Sequence, residues 1–440
     1  MIKSIRYAAL ISLALGSAAV AQSNPLATPD QRALDKQALR VLASAPVQAA
    51  RAKLTHLFAA DPNAATPEGR ATLPAAIDEI LFASVQDSIN RDPARPRLQW
   101  VWAPAHAWFG AEVPVSKVLM PNVDNVFRIV PVTSDAHYRI AASPAGKVPT
   151  QFSIQLLPAL PAEAQWSKVI QELVDTDIQK APDGSFTLTV GPEHQPADPN
   201  HIATTPAAHF ILIRDTIQDW RSETPYRLIV TRLDGPPPAA PAGEAALARQ
   251  AAALAQQIAP RIQQAKGGGF ANAPGFFQGP ANQLTAPKIR EGGRWGLSAS
   301  GHFHIADDEA LVIKLDPIGA RYMAVQLANA WLGSLDYIHH TAALNLAQAR
   351  PNADGTVTLI LAARDPGTAN WLDTTGLHDG SIFVRWQKLP PTRAAAAQGV
   401  RSVQVVKLAG LKTGLPHVLP GARRAEVGVR AAAYGRRFTE

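Results

Sequence analysis

The octapeptide DGSFTLTV at positions 183–190 recurs as DGTVTLIL at positions 354–361. Each copy opens with an Asp-Gly pair, which is typical of a tight turn because glycine readily takes the positive φ of a hairpin tip. The residues that follow alternate or are β-branched, as in a strand that packs against a core. Each copy therefore predicts a hairpin turn that leads into a strand.

Further residues follow both octapeptides in the same order, which extends the repeat. Asn200 follows the first octapeptide and Asn370 follows the second, and their distances from the opening aspartates differ by a single position. An apolar run then ends at Arg214 in the first copy and at Arg385 in the second, again at nearly equal spacing from the asparagines. We interpret residues shared by both copies as architectural, and we expect each asparagine amide to bond the backbone two positions on.

The secondary structure predicted from the sequence differs from one region of the chain to the next. Helical spacing predicts a helical N-terminal region at 22–99, and strand signals predict a first β unit at 100–234 and a second at 296–410. A Pro-rich linker, a helix and a Gly-rich loop occupy 235–295, and a basic tail follows at 411–440. We predict a mainly β protein whose two tandem, jelly-roll-like antiparallel β-sandwich units are related by internal duplication and joined by the linker and the helix.

The segment 1–21 is typical of a cleavable signal peptide. Lys3 and Arg6 precede an apolar run at 8–20, and a small-x-small motif ends at Ala21. The run is shorter than the roughly 20 residues of a membrane-spanning helix. We therefore expect cleavage after Ala21 and export of a soluble chain, without a later spanning segment, to the periplasm or beyond.

The composition excludes several kinds of chemistry. The chain contains no cysteine, so disulfides, cysteine nucleophiles and cysteine-ligated metals are excluded. It also lacks a P-loop, a dinucleotide fingerprint and a G-x-S-x-G motif, and it predicts no cofactor. Loss of Lys3 and Arg6 with the signal peptide lowers the net charge by two, from +7 to +5. This modest charge and the expected export argue against a nucleic-acid partner.

Five arginines crowd the C-terminus: Arg423, Arg424, Arg430, Arg436 and Arg437. They favour one of two interpretations, a solvated basic helix face or contact with an anionic surface such as a membrane.

Polar and aromatic residues collect in the predicted loops of the second unit: Trp371, Asp373, His378, Tyr337, His339 and His340. Asp373 with His378, or Asp336 with His339, could form a carboxylate–imidazole pair for acid–base catalysis. Trp371 and the other loop aromatics could hold a sugar or another flat ligand, although core packing explains them as well. We expect Trp371 and Asp373 to face a cleft near His378 or His339.

One pattern permits a metal site. His302 and His304 are two positions apart, so on a strand they face the same side and could share a metal with Asp307. His339 or His340 could add a further ligand. The alternative is an ordinary polar strand face, because no spacing fixes a third ligand.

The second unit resembles a bacterial family, domain of unknown function 1214, which is commonly paired with domain of unknown function 1254. The resemblance lies in the segments 307–311, 370–376 and 385–387. In the first unit, the sequence DNVFR at 124–128 is similar to the family's Asp-Asn-x-Tyr-Arg opening, with Phe127 in place of tyrosine. The resemblance implies a β-rich jelly-roll architecture and assigns neither an activity nor catalytic residues.

Two functions remain open at this point. The first is a periplasmic protein that binds a small molecule or a carbohydrate, or serves as an accessory protein, through its duplicated β-sandwich. The second is a periplasmic hydrolase or lyase that uses the histidines and aspartates in the loops of the second unit, with or without a metal.

The signal peptide gives the first testable prediction. We expect the mature protein to begin at Gln22, because the small-x-small motif ends at Ala21. Mass spectrometry of the protein from the periplasmic fraction measures this directly. An intact N-terminus on membrane-bound protein would contradict it.

Overall fold

The computed structural model describes residues 24–163, 168–268, 275–289, 296–390, 398–412 and 414–440. The predicted signal peptide at 1–21 lies outside these residues, so its cleavage stays a prediction.

The described chain contains five α-helices: α1 Pro29–Leu42, α2 Ala45–Ala59, α3 Pro67–Ile89, α4 Glu244–Gly267 and α5 Pro420–Gly435. The side chain of Thr28 caps α1 by accepting from Gln31 N, and that of Thr66 caps α3 by accepting from Gly69 N. Pro46 lies in the first turn of α2, where the missing N–H costs nothing. None of the helices in the described ranges is long and apolar enough to cross a bilayer.

The first β unit contains eleven described strands: β1 Gln99–Val101, β2 His106–Trp108, β3 Ala111–Val113, β4 Asn125–Pro131, β5 Tyr138–Ser143, β6 Gln151–Leu157, β7 Gln171–Val174, β8 Phe186–Gly191, β9 His201–Ala203, β10 Phe210–Thr216 and β11 Arg227–Arg232. The larger sheet has the order β1-β4-β10-β6-β7 and the smaller one β11-β5-β8-β9, while β2 and β3 form a separate hairpin. Side chains from both sheets make one core, so the unit is a β-sandwich.

The second unit contains ten described strands: β12 Gln283–Leu284, β13 Lys288–Ile289, β14 Gly296–His304, β15 Glu309–Leu315, β16 Tyr322–Ala328, β17 Ala343–Asn345, β18 Val357–Ala362, β19 Trp371–Asp373, β20 Asp379–Gln387 and β21 Val400–Lys407. Its larger sheet has the order β12-β14-β20-β16-β17, with β13 beside β14, and its smaller sheet has the order β19-β18-β15-β21.

The two units share one strand order. Strands β4 to β11 occupy the same sheet positions as β14 to β21, and the last pair of each smaller sheet, β8-β9 and β18-β19, is parallel. The predicted fold class is therefore confirmed as a mainly β chain with N-terminal helices and two tandem β-sandwich units. Descent of both units from one duplicated ancestor stays a prediction.

Asn200 and Asn370 make the same contacts in their two units. Asn200 accepts from Gln179 N and donates to the carbonyls of Gln179 and Thr187 at 2.9 and 3.1 Å. Asn370 accepts from Arg350 N and donates to the carbonyls of Arg350 and Thr358 at 2.8 and 2.9 Å. The expectation that each amide bonds two residues on was wrong: the amide joins a distant loop to the preceding strand.

The N-terminal helices pack with α4 and against the second unit in one continuous core. Leu54 of α2, Ile80 of α3 and Ile258 of α4 belong to this core together with strands of the second unit. Trp331 packs edge-on against Phe58, with ring centroids 5.4 Å apart, and its Nε1 donates to a main-chain carbonyl at the start of α3. The helical layer is thus a cover for the second unit, and α4 belongs to it.

The C-terminal arginines are largely internal. Arg423, Arg430 and Arg437 are buried, and only Arg424 and Arg436 of the five are exposed or partly exposed. Arg430 donates to two main-chain carbonyls of the second unit, and its guanidinium lies 4.3 Å from the centroid of an indole ring. Neither interpretation of a basic surface describes the three buried arginines, whose charges are used within the protein.

One buried carboxylate joins the two units. Asp124, just before β4, accepts hydrogen bonds from Trp220 Nε1 at 2.7 Å, Asn345 Nδ2 at 3.0 Å and Tyr322 OH at 2.7 Å. Burial raises the pKa of Asp124, and these three donors oppose that rise. Because Asn345 and Tyr322 belong to the second unit, the carboxylate fixes how the two sandwiches meet.

The matched asparagines give a stability prediction. Asn370→Ala removes three hydrogen bonds at a nearly buried site and should lower the free energy of unfolding by about 2 kcal/mol. Asn200→Ala should cost about half as much, because its bonds are more exposed. Urea unfolding measures both, with Gln250→Ala on the exposed face of α4 as the control. Equal stability of Asn370→Ala and the control would contradict the structural role given to the hydrogen bonds of Asn370.

Candidate ligand site between the two units

The outer faces of the two larger sheets meet around a cavity of about 120 Å³. Strands of the first unit contribute Phe127, Leu212 and Arg214, and β20 of the second unit contributes Phe383 and Arg385. The remaining lining residues are Trp102, Val118, Leu119, Met120, Pro121, Asn122, Asn125, Pro161 and Gln387. Arg214 and Arg385 hold equivalent positions in β10 and β20, so the two copies of one residue face the same space.

Arg214 carries a buried nitrogen without a partner. Its Nη1 is shielded from solvent and donates to no hydrogen-bonding atom of the described residues. Burial lowers the pKa of Arg214 to about 10, and the Glu172 carboxylate on β7 opposes this shift. The guanidinium carbon lies 5.8 Å from the centroid of the Phe127 ring, which faces the cavity as well. The group remains charged at neutral pH and is available to an anion.

Arg385 is held differently, although its position is equivalent. Its Nη1 donates to Gln326 Oε1 at 2.7 Å and its Nη2 donates to Met120 O at 2.8 Å. The guanidinium also lies 4.0 Å from the centroid of the Phe383 ring. Arg385 therefore fixes the segment around Met120 against the second unit and supplies positive charge to the cavity wall.

A single substitution between the copies explains this asymmetry. In the second unit Gln326 pairs across the sheet with Ala343, so its amide oxygen is available to Arg385. In the first unit the equivalent Gln155 pairs with Glu172 and donates to its carboxylate at 2.7 Å. The glutamine of the first unit is thus engaged by Glu172, and Arg214 Nη1 is left facing the cavity.

Two asparagine side chains add unpartnered atoms to the same cavity. Asn122 Nδ2 and Asn125 Oδ1 are buried and have no hydrogen-bond partner among the described residues. The orientation of Asn122 is fixed, because its Oδ1 accepts from the main-chain Asp124 N at 3.1 Å. Buried polar atoms are usually paired, so these three atoms are available to a polar partner in the cavity, either water or a bound molecule.

The backbone around the cavity is strained. Trp102, Leu119 and Met120 have φ values of 56°, 62° and 53°, in the left-handed region that side chains other than glycine rarely adopt. All three line the cavity. Each such residue costs about 1–3 kcal/mol, and strain of this kind collects at ligand clamps and active sites.

The residues predicted from the loops of the second unit lie elsewhere. Tyr337 is buried and its hydroxyl is 3.2 Å from that of Tyr434, so it belongs to the core. Trp371 donates from Nε1 to Ala362 O at 2.9 Å, and the Arg423 guanidinium lies 5.4 Å from its ring centroid. Neither Tyr337 nor Trp371 lines the cavity between the units.

Two of the predicted histidines, His339 and His340, each pair with a different aspartate. His340 Nδ1 lies 2.7 Å from Asp373 Oδ2, so Asp373 contacts His340 where His378 or His339 was expected. His339 Nδ1 lies 3.0 Å from Asp336 Oδ2. These two pairs lie near the surface, with His339 and His340 exposed over 67% and 43% of their side chains.

His378 joins the helical layer to the second unit. Its Nδ1 lies 2.6 Å from Glu68 Oε1 at the start of α3, and its Nε2 lies 3.0 Å from Asp307 Oδ1. The His378 ring donates hydrogen bonds to the carboxylates of Asp307 and Glu68, and these bonds raise the pKa of His378 because they favour the charged imidazolium. The bond to Asp307 has the larger effect. With both ring nitrogens engaged, His378 serves as a tie between layers.

The residues of the predicted metal site do not converge. His302 Nδ1 contacts Phe276 O at 3.2 Å and His304 Nδ1 contacts Asp379 Oδ1 at 2.7 Å. Asp307 binds His378 and Arg364. Over the described ranges, no group of three or more histidines or acidic residues is close enough together to hold a metal ion.

The sequence interpretation missed Arg214 and Arg385 as cavity residues. Both match across the repeat and were therefore assigned to shared architecture. The signal that could have found them is the difference between Glu172 and Ala343 at equivalent positions, since it changes the partner of one arginine alone.

Comparison with known proteins gives a fold and no activity. The chain is similar to the solved structure of an uncharacterized protein from Burkholderia cenocepacia, with 28% identity and a TM-score of 0.65, over 87% of this chain and 99% of the other. A protein from Vibrio parahaemolyticus matches at 11% identity and a TM-score of 0.39, over 65% and 90% of the two chains. No family model and no curated protein matches the sequence. The first similarity supports the β-sandwich fold over most of the chain.

The tie through His378 gives a prediction about pH. The folded-state pKa of His378 is raised above its ordinary value of 6.5, so its stabilising effect is complete below about pH 6.5 and is lost as the pH rises through the folded-state value. His378→Ala should therefore lower the free energy of unfolding more at about pH 5.5 than at about pH 9. Urea unfolding at both values tests this, with the exposed His194→Ala as the control. An equal loss of unfolding free energy at both pH values would show that the charge on the His378 imidazolium does not stabilise the fold.

Proposed function

We propose that this protein binds a small anionic molecule in the cavity between its two β units, as an exported binding or accessory protein. The observation that carries the proposal is the buried Nη1 of Arg214, which faces the cavity without a hydrogen-bond partner among the described residues. An unpaired buried donor costs about 1–3 kcal/mol, and more when the group is charged. An anion in the cavity would supply both the acceptor and the opposite charge.

Further features support the same site. Arg385 adds a second guanidinium to the wall, and Asn122 adds a fixed amide donor. The strained backbone at Leu119 and Met120 is held against the second unit, where Met120 N donates to Leu332 O at 3.0 Å. Strain persists only where the surrounding structure imposes it, and here it shapes one wall of the cavity.

The size of the cavity favours a small acid over a carbohydrate. Its volume of about 120 Å³ is smaller than the cavity of about 150 Å³ that accommodates benzene. A sugar ring with its hydroxyl groups is larger than benzene. Carbohydrate binding would need a different surface.

The enzymatic alternative has less support. General acid–base catalysis by the histidines of the second unit needs an imidazole within reach of a reacting group in a cleft. The side-chain hydrogen bonds described for His339, His340 and His378 all go to carboxylates. None of these histidines lines the cavity between the units.

Substitution of Arg214 tests the proposal. Sodium formate, acetate, phosphate and sulfate, with neutral acetamide as a control, should be titrated into the mature protein while thermal unfolding is followed. At least one anion should raise the Tm of the wild type, because a ligand that binds only the folded state stabilises it. Arg214→Met should abolish that rise, whereas Arg249→Met, an exposed arginine on α4, should keep it.

The stability of the variant without ligand separates binding from folding. We expect the Tm of Arg214→Met to stay within about 3 °C of the wild type, which corresponds to roughly 1 kcal/mol. Arg214→Met removes a charge that is costly to bury, and this gain in stability offsets the loss of the attraction between Arg214 and Glu172. An anion-induced rise that survives in Arg214→Met would show that the anion binds elsewhere.

A further inference from the structure

The walls of the cavity combine a few polar atoms with a larger apolar surface. Among the described residues that line the cavity, the buried donors without a partner are Arg214 Nη1 and Asn122 Nδ2. Much of the remaining lining is hydrocarbon or aromatic, as at Val118, Leu119 and Phe383. A ligand that fits both surfaces has one compact charged group and an apolar remainder.

The number of donors distinguishes between classes of anion. A carboxylate has two oxygens and a single negative charge, and its two oxygens match the two unpartnered donors, Arg214 Nη1 and Asn122 Nδ2. Phosphate and sulfate present more oxygens, carry more charge near neutral pH and need more donors when water is removed. Arg385 is not a source of these additional donors, because its Nη1 and Nη2 already donate to Gln326 and Met120. The Glu172 carboxylate near Arg214 also disfavours a dianion.

The third unpartnered atom points to a hydroxyl group on the ligand. Asn125 Oδ1 is buried at the cavity and needs a donor. The oxygen and nitrogen of an asparagine amide are assigned from their surroundings, and a hydroxyl group satisfies either orientation because it both donates and accepts.

Resting on the proposed function, we infer that the ligand is a short-chain aliphatic monocarboxylic acid that carries a hydroxyl group. Its carboxylate binds Arg214 Nη1 and Asn122 Nδ2, and its hydroxyl binds the side chain of Asn125. Its carbon chain lies against the apolar wall. The cavity of about 120 Å³ is slightly smaller than the cavity that accommodates benzene, which favours an acid of no more than about six non-hydrogen atoms.

Isothermal titration of the mature protein with a matched series tests this inference. The probes are lactate, propionate, propionamide, inorganic phosphate and sulfate. Lactate should bind about tenfold more tightly than propionate, because its hydroxyl pairs a buried acceptor that propionate leaves unpaired. Propionamide, phosphate and sulfate should show no binding at the same concentrations.

Three variants assign the contacts. Asn125→Ala should reduce the preference for lactate over propionate to about onefold while leaving the affinity for propionate nearly unchanged. Glu172→Gln should tighten the binding of both acids, because it removes a negative charge near Arg214. Arg214→Met should abolish the binding of both, and circular dichroism should show that each variant is folded.

The outcomes separate this inference from the proposed function. Binding of phosphate or sulfate through Arg214, without binding of the acids, would overturn the ligand class and leave anion binding in place. Equal affinities for lactate and propionate would overturn the hydroxyl contact. Absence of binding by every anion would overturn both proposals. A preference for lactate that disappears in Asn125→Ala while propionate still binds, together with loss of both acids in Arg214→Met, would support the inference as stated.

Discussion

The buried carboxylate of Asp124 is the constraint on which the arrangement of the two sandwiches depends. A carboxylate removed from water is costly unless donors surround it, and here an indole, an amide and a phenol all donate to it. Two of these donors belong to the second unit, so the units cannot separate or slide without removing two of the three hydrogen bonds that these side chains donate to the buried carboxylate. The Tyr322 hydroxyl also lies 3.0 Å from Asn122 Oδ1, which connects this cluster to the wall of the cavity. The geometry of the cavity is therefore a consequence of how Asp124 is satisfied.

The strand that follows Asp124 distributes its side chains between two tasks. Successive residues of a strand point to opposite faces, so Asn125 and Phe127 reach the cavity while Arg128 points into the first sandwich. There Arg128 forms a buried ion pair with Asp215. One short segment thus anchors the junction, lines the site and stabilises a core.

The sequence predicts the fold better than the site, for a physical reason. The repeated octapeptides and Asn200 with Asn370 are local signals, and local hydrogen bonds produce the same structure in both copies. The site depends on how the outer faces of two sheets meet, which no periodicity reports. Arg214 and Arg385 were therefore assigned to architecture, although they share a cavity. Tyr337 was a candidate ligand residue with core packing as the alternative, because aromatic residues in predicted loops have the same sequence pattern whether they pack inside or outside.

The order of elements along the chain has a consequence for synthesis. Helices α1 to α3 are made first, yet they bury their apolar faces against α4 and strands of the second unit, as where Phe58 meets Trp331. The first sandwich has its own core and can close while the nascent helices still lack their partners. A growing chain thus presents an apolar helical surface until Trp331 and its neighbouring strands are made, and such surfaces aggregate unless they are shielded.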